Sequence, residues 1–170
     1  MTSPRTPITS SPEINHVTPI VVNGVGFDIP DRFQAFTRDP RRPDLHAFAD
    51  LGTGVYLATY LFKTPLPRGF QVPGALSVVM ARFGERGEIR ELERSRGTDV
   101  DGPDAQWARF SHGRAGLVRV MLVVVEIDAT SVAVLEAVYP NVDTAWRVVQ
   151  AVTGTFKTTL GNAGLSPAAP

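Results

Sequence analysis

GLVRVMLVVVEI at residues 116–127 and SVAVLEAVY at residues 131–139 are the two stretches that decide the fold. Both are rich in valine, and both are apolar at successive positions rather than at alternate ones. That pattern is typical of strands buried on both faces of a sheet. Only three residues, Asp128, Ala129 and Thr130, separate them, so the strands are predicted to pair antiparallel. A sheet that is apolar on both faces needs a covering layer on each side.

Two amphipathic helices are predicted to supply those layers. The first begins near Pro73 and ends near Gly84, and its apolar face consists of Leu76, Val79, Met80 and Phe83. The second begins after a cap at Asn141 or Asp143, with apolar positions every three or four residues as far as Leu160. Gly154 weakens its last turns.

Within 21–36, an Asn-Gly turn signal is followed by a short apolar strand that Pro30 ends, and a further strand is predicted at 54–63 (GVYLATYLFK). Residues 87–98 and 104–114 are predicted to form a hairpin, whereas 37–52 is predicted to be a loop with at most a short strand or helical turn. Residues 88–96 could alternatively extend a helix. The order of elements and the short connections predict an α+β fold, with an antiparallel sheet of about six strands flanked by helices in an α/β/α sandwich.

Composition predicts one globular domain. The chain has 170 residues, with 17 basic and 17 acidic side chains and no cysteine. We expect a flexible Ser/Thr/Pro-rich arm at 1–20, a single domain at 21–160 and a flexible tail at 161–170. The balanced charge does not favour nucleic acid as a partner. Residues 1–20 hold no signal-peptide stretch, and charges interrupt the most apolar segment, so we expect a cytoplasmic protein that does not insert into membranes.

No residue pattern predicts a catalytic residue or a cofactor site. Ser111 and His112 are neighbours on a predicted strand, so their side chains are expected to point to opposite faces and to form no catalytic pair. The chain has no cysteine nucleophile and no Gly-x-Ser-x-Gly elbow. Two short glycine motifs, at 24–26 and 84–87, lack the full phosphate-binding pattern and are interpreted as turns.

The acidic and basic clusters are interpreted as structural. His46 lies between Asp44 and Asp50 in the predicted loop, but the three histidines are too far apart in sequence to suggest a metal site. The aspartates of 99–104 lack the glycine and glutamate positions of a calcium loop. Glutamates interleave the arginines of 86–96, which favours a solvated edge strand with cross-strand ion pairs over an anion-binding patch.

Aromatic residues provide the candidate binding surface. Tyr56, Tyr60 and Phe62 share one face of their strand, and Trp107 and Arg109 share a face of theirs. Tyrosine, tryptophan and arginine are the side chains most enriched at interaction hot spots. Two interpretations stay open: these side chains are core residues under the helices, or they line a groove for an extended or helical apolar peptide.

Several short motifs resemble the Mog1/PsbP-like superfamily over residues 24–158. They are GFDIPDRF at 26–33, GPDAQW at 102–107, and the apolar strand 132–139 followed by the helix 143–156. The resemblance implies an antiparallel sheet flanked by helices. It also implies a mainly non-catalytic function, since bacterial members include adaptor or chaperone proteins of secretion systems, and it assigns no catalytic residue to this chain.

Three hypotheses about function follow. The leading one is a non-catalytic adaptor or chaperone, linked to a secretion system by the resemblance, that binds a protein or peptide partner through Tyr56, Tyr60, Phe62, Trp107 and Arg109. The second is a small-molecule-binding protein or small enzyme with a pocket near His112. The third is a structural subunit of a larger assembly, including a homo-oligomer. None of them requires a metal or a cofactor.

Overall fold

A computed structural model of the chain describes residues 16–36, 39–67, 69–95 and 105–159. Within these ranges the strands are β1 (Val17–Val22), β2 (Val25–Pro30), β3 (Gln34–Ala35), β4 (His46–Asp50), β5 (Val55–Lys63), β6 (Ile89–Arg94), β7 (Ala105–His112), β8 (Val118–Glu126), β9 (Ser131–Pro140) and β10 (Lys157–Thr158). The helices are α1 (Gln71–Arg86) and α2 (Asp143–Thr153), with one 3₁₀ turn at Arg114–Gly116.

These strands form two antiparallel sheets. The large sheet has seven strands in the order β3-β4-β5-β9-β8-β7-β6, and the small sheet has three in the order β1-β2-β10. The strands β8 and β9 lie near the middle of the large sheet and pair with each other from Val118↔Pro140 to Glu126↔Val132. The predicted antiparallel pairing of the two most apolar stretches is therefore confirmed.

Helix α1 covers one face of the large sheet, which we call the α1 side. Its buried residues Val72, Ala75, Leu76, Val79 and Phe83 recur every three or four positions. They pack on alternate residues of the central strands, among them Phe110, Val120, Leu122, Val124 and Val134. The predicted amphipathic helix is confirmed, but it continues past Gly84 to Arg86.

Helix α2 and the small sheet together cover the opposite face, which we call the α2 side. The helix contributes Ala145, Val148, Val149 and Val152, and β2 contributes Val25, Phe27 and Ile29. They pack on the other set of alternate residues, among them Leu57, Val123, Leu135 and Tyr139. The predicted three-layer arrangement with one helix on each face is confirmed, and the small sheet is an addition to it.

The predicted number of about six strands is too low, for three local reasons. The strand predicted between the Asn-Gly signal and Pro30 is β2, but it has an additional hairpin partner, β1, across a tight turn in which Asn23 and Gly24 both adopt the left-handed conformation. The predicted loop at 37–52 contains β4. The second helix ends at Thr153, and the chain then turns to pair β10 with β2.

Strand β1 begins at Val17, inside the segment predicted as an arm. The remaining part of that arm, 1–15, and the predicted tail lie outside the described residues, as does the turn predicted at 99–104.

The two helices cover different halves of the sheet. Helix α1 packs over β7, β8 and β9, whereas α2 packs mainly over β9, β5 and the small-sheet strand β2. On the α2 side, therefore, β6 and β7 extend beyond the helix. This offset leaves Trp107 and Arg109 of β7 only partly covered on the α2 side.

An ion pair joins the end of the small sheet to the large sheet. Asp50, at the end of β4, is 3% exposed, and its carboxylate lies 2.5 Å from Nε of Arg32, which follows β2. The same carboxylate accepts hydrogen bonds from the Gly52 N–H at 3.0 Å and the Thr53 hydroxyl at 2.7 Å. The carboxylate thereby also fixes the turn between β4 and β5.

We predict that Asp50→Ala lowers the free energy of unfolding by about 2–4 kcal/mol, because it removes an ion pair and two charged hydrogen bonds made by a buried carboxylate. Urea denaturation followed by circular dichroism measures this loss. The control is Glu85→Ala on the exposed side of α1, expected to change stability by less than about 0.5 kcal/mol. Equal effects of the two substitutions would contradict the assignment.

Candidate functional site

The five predicted partner-binding residues lie on opposite sides of the large sheet. Tyr60 and Phe62 belong to the α1 side, and Tyr56 shares their strand face. Trp107 packs on the α2 side, as does Arg109, two residues further along β7. Strands β9 and β8 separate β5 from β7. The five residues therefore form two surfaces rather than one groove, and their role in partner binding stays a prediction.

On the α1 side, side chains of the protein itself contact the aromatic rings. Tyr56 is 47% exposed and stacks on Phe36, with ring centroids 6.1 Å apart. The guanidinium of Arg42 lies 5.5 Å from the ring centroid of Tyr60. The Arg82 guanidinium lies 5.4 Å from that of Phe62. A cavity of about 500 Å³ lies beside these contacts and is lined by Arg42, Asp44, Tyr60, Leu61, Phe62, Lys63 and Arg82.

Tyr60 also belongs to a buried polar pair. Its hydroxyl donates to Glu136 Oε1 at 2.5 Å. Burial raises the pKa of Glu136, and the Tyr60 hydrogen bond and the charges of Arg86, Arg82 and Arg42 only partly oppose that effect. Burial likewise raises the pKa of Tyr60. The pair therefore links β5 to β9 beneath α1.

On the α2 side, an apolar cavity of about 430 Å³ lies between the large sheet and the end of α2. We call it the Trp107 cavity. Its walls on β7 and β8 include Ala105, Trp107, Met121, Val123 and Val125. Residues 153–158, which include Phe156 and β10, form the opposite wall. Trp107 is half-buried, so its ring is both a core contact and part of the cavity surface.

A second cavity, of about 440 Å³, lies beside the first turn of α2. We call it the Trp146 cavity, and it is lined by Arg109, Arg119, Tyr139, Asn141, Val142, Asp143 and Trp146. The guanidinium of Arg109 lies 4.4 Å from the Trp146 ring centroid, and its Nη2 lies 3.3 Å from a Glu93 carboxylate oxygen. Nε of Arg109 is buried and has no described hydrogen-bond partner.

Tyr139 lies at the base of this cavity. It is buried, and its ring stacks on that of Trp146 with centroids 5.7 Å apart. Burial raises the pKa of Tyr139, although the charges of Arg109 and Arg119 act in the opposite direction. Its hydroxyl therefore stays protonated at neutral pH.

A third cavity, of about 380 Å³, continues from the second. We call it the Ser111 cavity, and it shares Arg119 and Asn141 with the Trp146 cavity. Its other lining residues are Glu88, Arg90, Ser111, Gly113, Ala115, Gly116 and Leu117. The Trp107 and Trp146 cavities share no lining residue, but Arg109 of the second pairs with Met121 of the first across β7 and β8. We call the three together the β7–β8 cleft.

Sequence reasoning identified Trp107 and Arg109 in this cleft but missed Arg90, Ser111, Arg119, Tyr139 and Trp146. The arginines 90 and 119 are far apart in sequence and meet only through the pairing of β6, β7 and β8. Trp146 was assigned to the apolar face of the second helix. Trp146 lies at the margin of that apolar face, and this position is the feature of the sequence that could have indicated its place in the cleft.

His112 does not line any part of the cleft. Its ring lies on the α1 side, where Nε2 is 2.9 Å from the Phe83 carbonyl oxygen and the ring packs edge-on against Phe83. Ser111 faces the cleft on the other side of the sheet. The prediction that these neighbours point in opposite directions is confirmed. The ring of His112 thus serves to anchor the end of α1 on β7.

The aspartates near His46 also have structural partners. Asp44 lies 3.3 Å from Arg42 Nε and accepts the Leu61 N–H at 3.1 Å. Burial tends to raise the pKa of Asp44, but the hydrogen bonds from Arg42 and Leu61 hold it below its usual value. Within the ranges that the structure describes, no three His, Asp or Glu side chains are arranged to hold a metal ion.

In the same ranges, neither helix has the length and apolar character required to span a bilayer.

Comparison with solved structures identifies the fold. The Ran-binding protein Mog1p of Saccharomyces cerevisiae aligns with a TM-score of 0.61 at 10% identity, covering 84% of this chain and 95% of its own. The PsbP protein of the cyanobacterium Synechocystis sp. PCC 6803 aligns with a TM-score of 0.57 at 12% identity, covering 90% of this chain and 99% of its own.

LpqN of Mycobacterium tuberculosis, described as involved in cell envelope biogenesis, aligns with a TM-score of 0.50 at 14% identity, covering 84% and 90%. The chain therefore has a Mog1/PsbP-like α+β fold, as the resemblance implied. Its sequence matches no protein-family model and none of the curated proteins compared with it.

The buried Glu136 carboxyl leads to a prediction about pH. Because its pKa is raised in the folded state, the folded protein holds this proton more tightly than the unfolded chain does. The contribution of Glu136 to stability therefore falls as the pH rises above 4.5, its ordinary pKa. Glu136→Gln keeps an acceptor for the Tyr60 hydroxyl without the charge.

We expect the stability of the wild type relative to Glu136→Gln to decrease between pH 4 and pH 8. Urea denaturation of both proteins at several pH values measures this difference. A difference that stays constant, or that grows in favour of the wild type, would show that the carboxylate is stabilised in the folded protein.

Proposed function

We propose that this protein is a non-catalytic peptide-binding adaptor or chaperone that holds an extended segment of a protein partner in the β7–β8 cleft. The observation that carries the proposal is the offset of α2, which leaves three adjoining cavities along β7 and β8 on the α2 side. The cleft contains both tryptophans of the chain.

The dimensions of the cleft suit an extended peptide. From Val125 to Arg119 the cleft follows seven residues of β8, whose six steps of about 3.3 Å span roughly 20 Å. An extended ligand of about six residues has the same length. The three volumes, near 400 Å³ each, suit separate side chains better than a single compact molecule.

The chemistry of the cleft changes along its length. Trp107, Met121 and Val123 make one end apolar. At the other end, Arg90 and Arg119 outnumber the one acidic lining residue, Glu88, and give a net positive charge. Tryptophan and arginine are the residue types that most often dominate binding energy at protein interfaces. The cleft therefore favours a segment with apolar side chains followed by a negatively charged group.

The fold neighbours support a binding function. Mog1p is described as a Ran-binding protein, which shows that this architecture can serve protein recognition. A secretion-system partner, a cytoplasmic location and self-association remain predictions that follow from the sequence alone.

The proposal predicts that the protein retains peptides from a random 12-residue library and that Trp107→Leu weakens their binding by about tenfold or more. Leucine keeps an apolar core contact while removing most of the ring from the cavity. Fluorescence anisotropy with labelled copies of the retained peptides measures the affinities.

Tyr56→Leu is the matched control, because Tyr56 is an exposed aromatic residue on the other side of the sheet. We expect it to change affinity by less than about twofold, and thermal unfolding checks that both variants are folded. If no peptide is retained, or if Tyr56→Leu weakens binding more than Trp107→Leu, the assignment to this cleft is wrong.

A further inference from the structure

The floor of the Ser111 cavity is a row of directly paired residues. Arg90 on β6 pairs with Ser111 on β7, and Ser111 pairs with Arg119 on β8. The small, buried serine separates two long cationic side chains whose strands lie about 10 Å apart. The row therefore forms a gap with an arginine on each side, and both arginines line the cavity.

Within the described parts of the chain, the charges of this gap are only partly balanced. Among the described residues, neither Arg90 nor Arg119 lies within ion-pair distance of a carboxylate. Glu88 is the one acidic residue among the described lining residues, and it is exposed. The cavity thus has an excess of one positive charge, which a single carboxylate would neutralise.

A fixed loop closes this end of the cleft. The β7–β8 connection contains three left-handed residues, Gly113, Ala115 and Gly116, with φ of 81°, 63° and 61°. The Gly113 N–H donates to the Glu88 carbonyl oxygen at 2.8 Å, and the Asn141 N–H donates to the Leu117 carbonyl oxygen at 3.0 Å. The loop is therefore held on both sides, and Gly113, Ala115, Gly116 and Leu117 form the wall at this end of the cleft.

We infer that the Ser111 cavity binds the C-terminal carboxylate of the peptide ligand, between Arg90 and Arg119 and above Ser111. This inference rests on the proposed function, because it names the part of the peptide that occupies the closed end of the cleft. The ligand is then a protein with a free carboxyl terminus preceded by apolar residues, whose side chains reach the Trp107 cavity.

A carboxylate fits this position better than a neutral group does. A guanidinium donates two parallel hydrogen bonds to a carboxylate, and such charged bonds are about twice as strong as neutral ones. Asn141 lines both charged cavities and adds an amide donor. A neutral chain end would form weaker hydrogen bonds with the two guanidiniums than a carboxylate does.

Matched synthetic libraries test the inference. Three sets of six-residue peptides are applied to the immobilised full-length protein. The first set ends in a free carboxylate, the second has the same sequences ending in a carboxamide, and the third ends in a carboxamide but carries aspartate as its last residue. Mass spectrometry identifies the retained peptides, and calorimetry measures their affinities.

We expect the free-acid peptides to bind at least about tenfold more tightly than both carboxamide sets. Equal binding of the first two sets overturns the inference and leaves the proposed function standing. If the carboxamide peptides with a terminal aspartate bind as well as the free acids, a side-chain carboxylate is sufficient for recognition. That result also overturns the inference. Retention of none of the sets contradicts the proposed function itself.

Variants locate the carboxylate. Arg119→Gln is expected to reduce the preference for free-acid over carboxamide peptides from about tenfold to about twofold or less. Arg90→Gln is expected to reduce it in the same direction. Arg114→Gln is the control, because Arg114 is exposed in the same loop but does not line the cavity. If both Arg119→Gln and Arg90→Gln keep the preference for free-acid peptides, the carboxylate binds elsewhere. The same conclusion follows if Arg114→Gln loses that preference.

Discussion

Burial of β8 and β9 on both faces is the constraint on which the rest of the structure depends. Val120, Leu122 and Val124 point to the α1 side, and Met121, Val123 and Val125 point to the α2 side. Burying each such side chain contributes about 1.5–3 kcal/mol, so exposure of either face to water would remove most of the stability of a domain of this size. The chain must therefore return to both faces, which it does with α1 on one side and with α2 and the small sheet on the other.

Sheet width then determines where the cleft lies. Seven strands spaced about 4.8 Å apart span roughly 29 Å, whereas one helix is about 10 Å wide and covers two or three strands. Helix α1 lies over β7 and β8, and α2 lies toward β5 and the small sheet. Trp107 and Arg109 are half-covered as a result, and Trp146 reaches them from the edge of α2. The proposed binding surface thus arises from the way in which the core is covered.

Periodicity in the sequence predicted the long elements, because β5, β8, β9 and the two helices each carry their own hydrophobic pattern. The short strands β4 and β10 have weak patterns and form because neighbouring strands supply hydrogen bonds. Strand alternation predicted that Tyr60 and Phe62 share one face of their strand. It also predicted that Trp107 and Arg109 share a face of theirs. The row of Arg90, Ser111 and Arg119 did not, because it depends on the register of three strands and on a bulge between Glu91 and Glu93.

The central claim is that the protein binds its partner on the α2 side, along β7 and β8. The most direct test is to map amide chemical-shift changes of ¹⁵N-labelled protein during titration with a retained peptide. The account predicts that the largest changes follow β7, β8, the 113–117 loop and the first turn of α2. Changes concentrated at Phe36, Tyr56 and the exposed face of α1 would place the binding surface on the opposite side and contradict it.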